Sequence, residues 1–492
     1  MLKKKKFLCS LLVGLLLLSS ILVSSALPAG WSAERIHFNA TVVDGHNDTM
    51  MRVVNSTSWL PELDLYDLNR QLNLQKAKEG GLDVAFYAAY TGYQGTNAFF
   101  IDTYGYEGRT ARTNSRMLAL INALYWNAEK NSDLMVIATS LNDIEKEVRD
   151  GKHVAVPTLE GMYSFEEDNA FELLQQYYDL GARAAAIVWN PANSLGAGTS
   201  VANDAPNAGL TDLGKEIMRE MNRLGIIIDV SHMNETTFFD TIAVSKVPII
   251  ASHSGVDAIR THARNLSDDQ LLALKDNGGV AKVNFWNTVV APPGETATIA
   301  YLVDHIDHVV NLIGIDHVGI GSDFDGASMP VDLPDASYLP ALTEELVARG
   351  YTRQDIEKIL GGNTLRVLKE VEKYAEKYAS QVGQGLTIVP ELKMGDIIND
   401  TMPLLTATVT PDRGSKIDDS GFRVIVDGIA YEPEFDAETG LLTLQMEVEL
   451  LGSGPLNEAG TQQMAGNFHV VTFEGRNNSN KITRETVIFY VQ

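Results

Sequence analysis

The chain of 492 residues predicts an α/β protein: a (β/α)8 TIM-type barrel followed by a small all-β, immunoglobulin-like sandwich domain. Three observations carry the prediction. Between about residues 40 and 380, eight short apolar runs alternate with amphipathic segments of helical length, the pattern of repeated βα units around a parallel sheet. Nearly every one of these runs ends in a polar or metal-ligand type of residue, as the functional rim of a barrel requires. Beyond residue 386 helical periodicity fades and a two-residue alternation replaces it.

The first 26 residues stand apart from the fold. Lys3 to Lys6 form a positive start, Phe7 to Val23 an apolar stretch, and Ser24-Ser25-Ala26 a small-residue cleavage site. Residues 1–26 therefore read as a secretory signal peptide cleaved after Ala26. Cys9 is the single cysteine and leaves with it, so the exported chain holds none. Export without disulfides points to a bacterial, extracytoplasmic or secreted protein, with no membrane span once the signal is removed. The formal net charge is −25, and −29 after loss of the four signal lysines. So acidic a surface excludes nucleic acid and anionic membrane as partners.

The expected barrel domain covers residues 34–380. Its strand candidates are 41–45, 83–89, 153–159, 184–188, 226–230, 248–252, 279–283 and 318–322. Several are apolar throughout, as in Ile226-Ile227-Ile228, which suits strands covered on both faces. The helices between them have legible ends. Ser164, with Glu167 three residues on, opens a helix that Gly181 closes. Thr211 to Leu224 is stopped by Gly225. Ser267 and Gln270 form a capping box before Gly278. An open doubly wound sheet is the alternative, but no Gly-x-Gly-x-x-Gly follows the first strand. Residues 381–386, glycine- and glutamine-rich, read as a linker. Residues 387–492 carry alternating runs at 405–409, 422–426, 441–448, 469–473 and 486–491, separated by turn residues. With one histidine and no ligand cluster, this domain reads as a stabilising or surface-attachment module.

Active sites of such barrels lie at the C-terminal ends of the strands. Strand one ends in His46 and Asp48, two apart and so on one side of the strand. Strand three ends in Glu160, strand four in Trp189-Asn190, strand five in His232, strand six in His253, strand seven in Asn284 and strand eight in Asp323. Only strand two lacks a polar terminus. His46, Asp48, Glu160, His232, His253 and Asp323 thus converge on one rim. Three imidazoles and three carboxylates exceed the needs of one tetrahedral zinc. They suit two divalent ions that share a bridging carboxylate, an arrangement used by hydrolases. The remaining histidines (His37, His153, His262, His305, His308, His317) lack such placement and read as structural.

The segments Asp44-Gly45-His46-Asn47-Asp48, Glu160-Gly161, Gly209 to Gly214, Leu224 to His232, Ser252-His253-Ser254, Arg264 to Asp268 and Gly321 to Gly326 resemble, in order, those of the membrane (renal) dipeptidase family of zinc metallopeptidases. The resemblance spans residues 40 to about 375 and stops before the C-terminal domain. It implies a cofactor of two divalent metal ions, zinc being the expected metal. His46 and Asp48 would bind one ion, His232 and His253 the other, and Glu160 would bridge both. It implies Asp323 as the proton-managing residue, with Glu160 counted beside it in the catalytic set. It implies Arg264 as the group that grips the substrate carboxylate. Asn190 and Asn284 are added as substrate-binding candidates. The implied activity is hydrolysis of dipeptides, including those with a C-terminal D-residue, by an activated water. The alternatives are a metal-dependent amidohydrolase acting on another small amide or lactam, and a non-catalytic surface-binding protein. Many members have a histidine where this chain has Trp189, thought to contact the developing oxyanion, and Asn190 and Asn193 are the alternatives for that donor. Trp286 replaces a common tyrosine. Expected partners are the dipeptide, a second copy of the chain as a homodimer, and cell-surface or cell-wall material met by the C-terminal domain.

Overall fold

The computed structural model describes residues 31–55, 58–91, 98–378, 385–450 and 467–492, with the side chains of 98–112 excepted. The expected signal peptide lies outside the described residues. Among the described residues no helix is long and apolar enough to cross a membrane.

Eight parallel strands form the barrel path: β1 Val42–Asn47, β2 Leu82–Tyr90, β3 His153–Glu160, β4 Ala184–Ala186, β5 Ile227–Asp229, β6 Ile250–Val256, β7 Val280–Asn284 and β8 Val318–Gly321. All eight coincide with the predicted runs, and they are buried along almost their whole length. The ring closes at the rim. Asp48 N donates to Phe324 O at 2.8 Å and Asp323 N to His46 O at 2.9 Å, which ties the end of β8 to the end of β1. Two short strands were not foreseen: Met135–Ile137, which pairs with the lower half of β3, and Asn265–Leu266, which pairs with the end of β6.

Helix ends follow local chemistry. Thr211 caps Asp212–Leu224 by accepting from Gly214 N, and Gly225 ends it at φ 87°, where a side chain would be strained. Ser267 and Gln270 make the expected capping box on Asp268–Asn277. The helix after β3 begins later than predicted, at Ala170, with Asn169 in the cap position. Ser164 does not cap it; its hydroxyl is buried with no hydrogen-bond partner.

Of the expected linker, residues 381–384 lie outside the described residues, and Leu386 already pairs as a strand. Two sheets follow. One joins 386–390, 404–411, 441–445 and 434–436; the other joins 396–398, 482–491, 468–477, 417–426 and 429–431. Four of these strands, 386–390, 396–398, 429–431 and 434–436, escaped the sequence reading. The sheets share one core, with Leu405, Val409 and Leu442 from the first facing Val424, Phe473 and Phe489 from the second.

The outer face of the five-stranded sheet belongs to the barrel. Phe468, Val470, Ile488 and Tyr490 sit in the same apolar cluster as Leu173, Tyr177 and Met117. Gln176, buried on the helix Ala170–Asp179, locks the contact. Its Nε2 donates to Ile425 O at 3.1 Å and its Oε1 accepts from Gly428 N at 2.8 Å. Gly428 has φ 82°, and a Cβ there would meet Leu173 at 2.6 Å. Gln176→Ala would strand both backbone groups at the junction, so thermal or urea unfolding should show a loss of about 2 kcal/mol. A change below about 0.5 kcal/mol would reject this locking role.

Candidate metal centre

Strands β1, β3 and β6 carry His46, Glu160 and His253 to the barrel mouth, and short turns after β5 and β8 add His232 and Asp323. Both turns are strained. His232 has φ 69° and Asp323 φ 62°, conformations that non-glycine residues seldom adopt. The predicted residues do converge. Glu160 Oε1 lies 3.0 Å from His232 Nε2 and 3.7 Å from His253 Nε2. Its other oxygen lies 3.4 Å from His46 Nε2, which is 3.8 Å from Asp48 Oδ2. His46 and His253 stack with ring centroids 3.8 Å apart. Asp323 groups with His46 and Asp48.

The donor set fits divalent metal. His232 Nδ1 lies 2.8 Å from Asn190 Oδ1, and the amide oxygen accepts only, so that nitrogen carries the proton. His253 Nδ1 lies 2.8 Å from Ser252 Oγ, whose own proton goes to Asp229. Each ring therefore presents a bare Nε2, and the two face each other at 3.0 Å. Two lone pairs so placed, beside the Glu160 carboxylate, suit a cation between or beside them. Burial, with Arg264 nearby, pulls His232 down to about 3, and burial likewise holds His253 well below the usual imidazole range. Burial also acts on His46, but the Glu160 and Asp48 carboxylates outweigh it and hold that imidazole well above its ordinary value. His46 Nε2, Asp48 Oδ1 and Glu160 Oε2 are buried without a hydrogen-bond partner. Imidazole nitrogens and carboxylate oxygens left free in a closed pocket are the ligands zinc and related dications take.

A second layer of residues aims these ligands. Asp229 Oδ1 accepts from Ser231 N and Ser252 N, both at 2.9 Å, and so ties the turn after β5 to β6. Asp44 accepts from Ser322 N at 2.6 Å and Ser322 Oγ at 2.8 Å, fixing the residue before Asp323. Asp44 precedes His46 by two, so the parity that selects Asp48 also selects it.

The other predicted residues divide. Arg264 is 7% exposed and donates through Nη2 to His253 O at 3.1 Å, and its guanidinium lines the cavity over the ligands. Asn190 also lines it. Its Oδ1 takes both His232 Nδ1 and Thr199 Oγ1, which turns its amino group away from them. Asn193 is spent, bonding Met162 O, Ile187 O and the amides of Leu195 and Gly196. Asn284 is fully buried. Its Nδ2 donates to Asp323 Oδ2 at 3.1 Å and to His253 O, and its Oδ1 accepts from Trp286 N. It stands behind Asp323 and outside the cavity wall. Burial, with Asp48 close by, pushes Asp323 up to about 8.

The cavity, about 560 Å³, has aromatic walls: Tyr90, Trp189 and Trp286. Trp189 packs edge-on to Tyr90 and 5.7 Å from the His232 ring. Tyr90 shows that β2 also contributes to the rim, through a residue type that a search for ligands passes over. His262, read as structural, is in the wall and packs edge-on to Trp286. The other five histidines have ordinary partners, such as Thr343 and Gly80 for His37 and Leu82 and Tyr87 for His153. Ser252→Ala would cut His253 from Asp229 while leaving all ligands in place; metal affinity should fall on the order of tenfold to a hundredfold in a chelator competition. Unchanged affinity would reject the relay.

The sequence profile of the membrane dipeptidase family (Peptidase family M19) matches residues 31–382. An uncharacterized dipeptidase of Schizosaccharomyces pombe is 34% identical over 345 residues, covering 68% of this chain and 82% of its own. Dipeptidase tcpJ of Claviceps purpurea is 33% identical, covering 69% and 78%. Among solved structures, the probable dipeptidase PvdM from Pseudomonas aeruginosa superposes with a TM-score of 0.62 at 28% identity, over 70% of this chain and 98% of its own. A Rhodobacter sphaeroides metallopeptidase, solved with a phosphinate mimic of L-Ala-D-Ala, gives 0.59 at 27%, over 68% and 99%. The buried histidine–carboxylate rim and these matches agree: the chain belongs to the membrane dipeptidase family, peptidase family M19, and is a metallo-dipeptidase.

Proposed function

We propose that the protein hydrolyses dipeptides with two divalent ions, zinc first among them, and that it accepts a C-terminal D-residue. The observation that carries the two-ion reading is Glu160. Its two oxygens face different groups, His232 and His253 on one side, His46 and Asp48 on the other. His46 and Asp48 would hold one ion, His232 and His253 the second, with Glu160 shared. The bound ions supply Lewis acidity to the scissile carbonyl and acidify a water.

The chain's own residues do the rest. Arg264 pairs with the free carboxylate of the substrate, a planar fork against a planar anion. That pairing sets substrate length, since a longer peptide carries its carboxylate elsewhere. The Asn190 amino group donates to the carbonyl oxygen in the place left by Trp189, its orientation held by His232 and Thr199. Asp323 takes the proton of the attacking water at one carboxylate oxygen and returns it to the leaving amine. Asn284 holds the other oxygen and so acts as a support for Asp323. The aromatic walls exclude water and take the two side chains. The L-Ala-D-Ala mimic bound by the Rhodobacter sphaeroides relative supports the D-residue reading. Export through a signal at residues 1–26 completes the proposal.

The test is a panel of L,L- and L,D-dipeptides hydrolysed by metal-reconstituted protein, with a chelator control and elemental analysis. Two metal equivalents per chain are expected; one would sink the shared-ligand reading. Asp323→Asn should keep its metal and lose on the order of a hundredfold to ten-thousandfold in kcat. Near-normal turnover would remove Asp323 from proton transfer. Arg264→Ala should raise KM for a dipeptide on the order of a hundredfold, matching about 3 kcal/mol for a charged hydrogen-bonded pair, yet barely change it for the dipeptide amide. Equal effects on both substrates would reject the clamp.

A further inference from the structure

Beneath the ligands lies a charged side chain that the reaction does not use. Lys282, on β7, is fully buried, and Nζ has no hydrogen-bond partner. It lies two residues before Asn284 and so enters the barrel on the same side, one layer lower. The chain makes room for it. A Cβ at Gly45 would lie 2.6 Å from Lys282 Cε and Nζ, and one at Gly319 would lie 3.3 Å from Cγ. Nζ sits 5.1 Å from the Phe86 ring centroid and in the field of two carboxylates, Asp44 and Asp229. These are the acids that tie Ser322, Ser231 and Ser252, and with them the rim residues Asp323, His232 and His253.

We propose that Lys282 is a resident counter-charge for Asp44 and Asp229, a positioning residue that lets the acid-rich barrel fold before metal is bound. A buried lysine without a bonded partner is costly. Its retention in a space that two glycines keep open is explained by what it faces. The layer sets two carboxyl side chains against one lysine. Burial lowers Lys282 to about 8, which still leaves it mainly as the ammonium at neutral pH. The same charge repels a dication in the layer above, so Lys282 stabilises the metal-free barrel and weakens metal binding.

That pair of opposite effects separates a counter-charge from a space-filler. Lys282→Met keeps the length and removes the charge. Asp44→Asn keeps its hydrogen bonds, because Ser322 Oγ lies 3.2 Å from His46 O and can turn its proton there while accepting from the new amide. The double variant restores the parent's net charge in the layer. In chelator-treated protein, Lys282→Met should lower the unfolding midpoint by about 5 °C or more, and the double variant should recover over half of the loss. In competition with a chromophoric chelator, Lys282→Met should bind Zn2+ at least about fivefold more tightly and Asp44→Asn more weakly, with the double variant near the parent. A merely structural lysine would lose stability and affinity together. A metal-free midpoint at or above the parent's, a double variant that recovers less than half, or an affinity that does not rise overturns the proposal. If Lys282→Met alone fails to fold, soluble double variant supports the proposal and insoluble double variant overturns it. The affinity arm rests on the metal reading above and the stability arm does not. A parent that binds no Zn2+ would defeat that reading while the midpoints still decide the role of Lys282.

Discussion

Asp229 bonds the amides of Ser231 and Ser252 across two strands, and Asp44 does the same for Ser322 across the seam of the barrel. Neither acid meets the cavity, yet three of the residues that do are set by them. A parallel barrel leaves its strand ends as loose backbone, and imidazoles on loose backbone would not hold their nitrogens a few ångströms apart. A buried carboxylate with its oxygens fully engaged is stiff in a way a loop is not. The strain at His232 and Asp323 is borne by this frame, since each departs from ordinary backbone right after an anchored serine.

Much of this could be read in the sequence because two periodicities coincide. Apolar runs locate the strands, and the rule that chemistry sits at strand ends then selects His46, Asp48, Glu160, His232, His253 and Asp323. What escaped has a physical reason in each case. Tyr90 shapes the cavity by area rather than by a ligand atom. Asn284 has the composition of a substrate contact, but its hydrogen-bonding capacity is used up by Asp323 and by backbone, which no linear pattern reveals. Asn190 and Asn193 are alike in sequence and only their partners separate them. Ser164 has the spacing of a helix cap, but the chain turns past it and starts the helix at Ala170. Lys282, within an otherwise apolar run, is a local conflict whose explanation lies on two other strands.

The site also shows how a barrel carries charge in its interior. The ligand layer is rich in carboxylate and the layer below adds more, so cations must enter from somewhere. Arg264 supplies one from above, beside the cavity, and Lys282 one from below. Bound metal supplies the rest.

The docking of the C-terminal sheet against the helices of the barrel bears on inheritance. The solved relatives align over about 70% of this chain while being covered almost end to end, so the match leaves the sandwich aside. Here, however, Phe468, Val470, Ile488 and Tyr490 share a core with Leu173 and Tyr177, and Gln176 answers the backbone of the sheet. Once a lineage has rebuilt an outer helix face in this way, the appended domain is no longer a cassette. Deleting it would uncover the oily surface that Leu173 and Tyr177 share with the sheet. Gain of the module is thus a ratchet, and the two parts are bound to evolve as one unit.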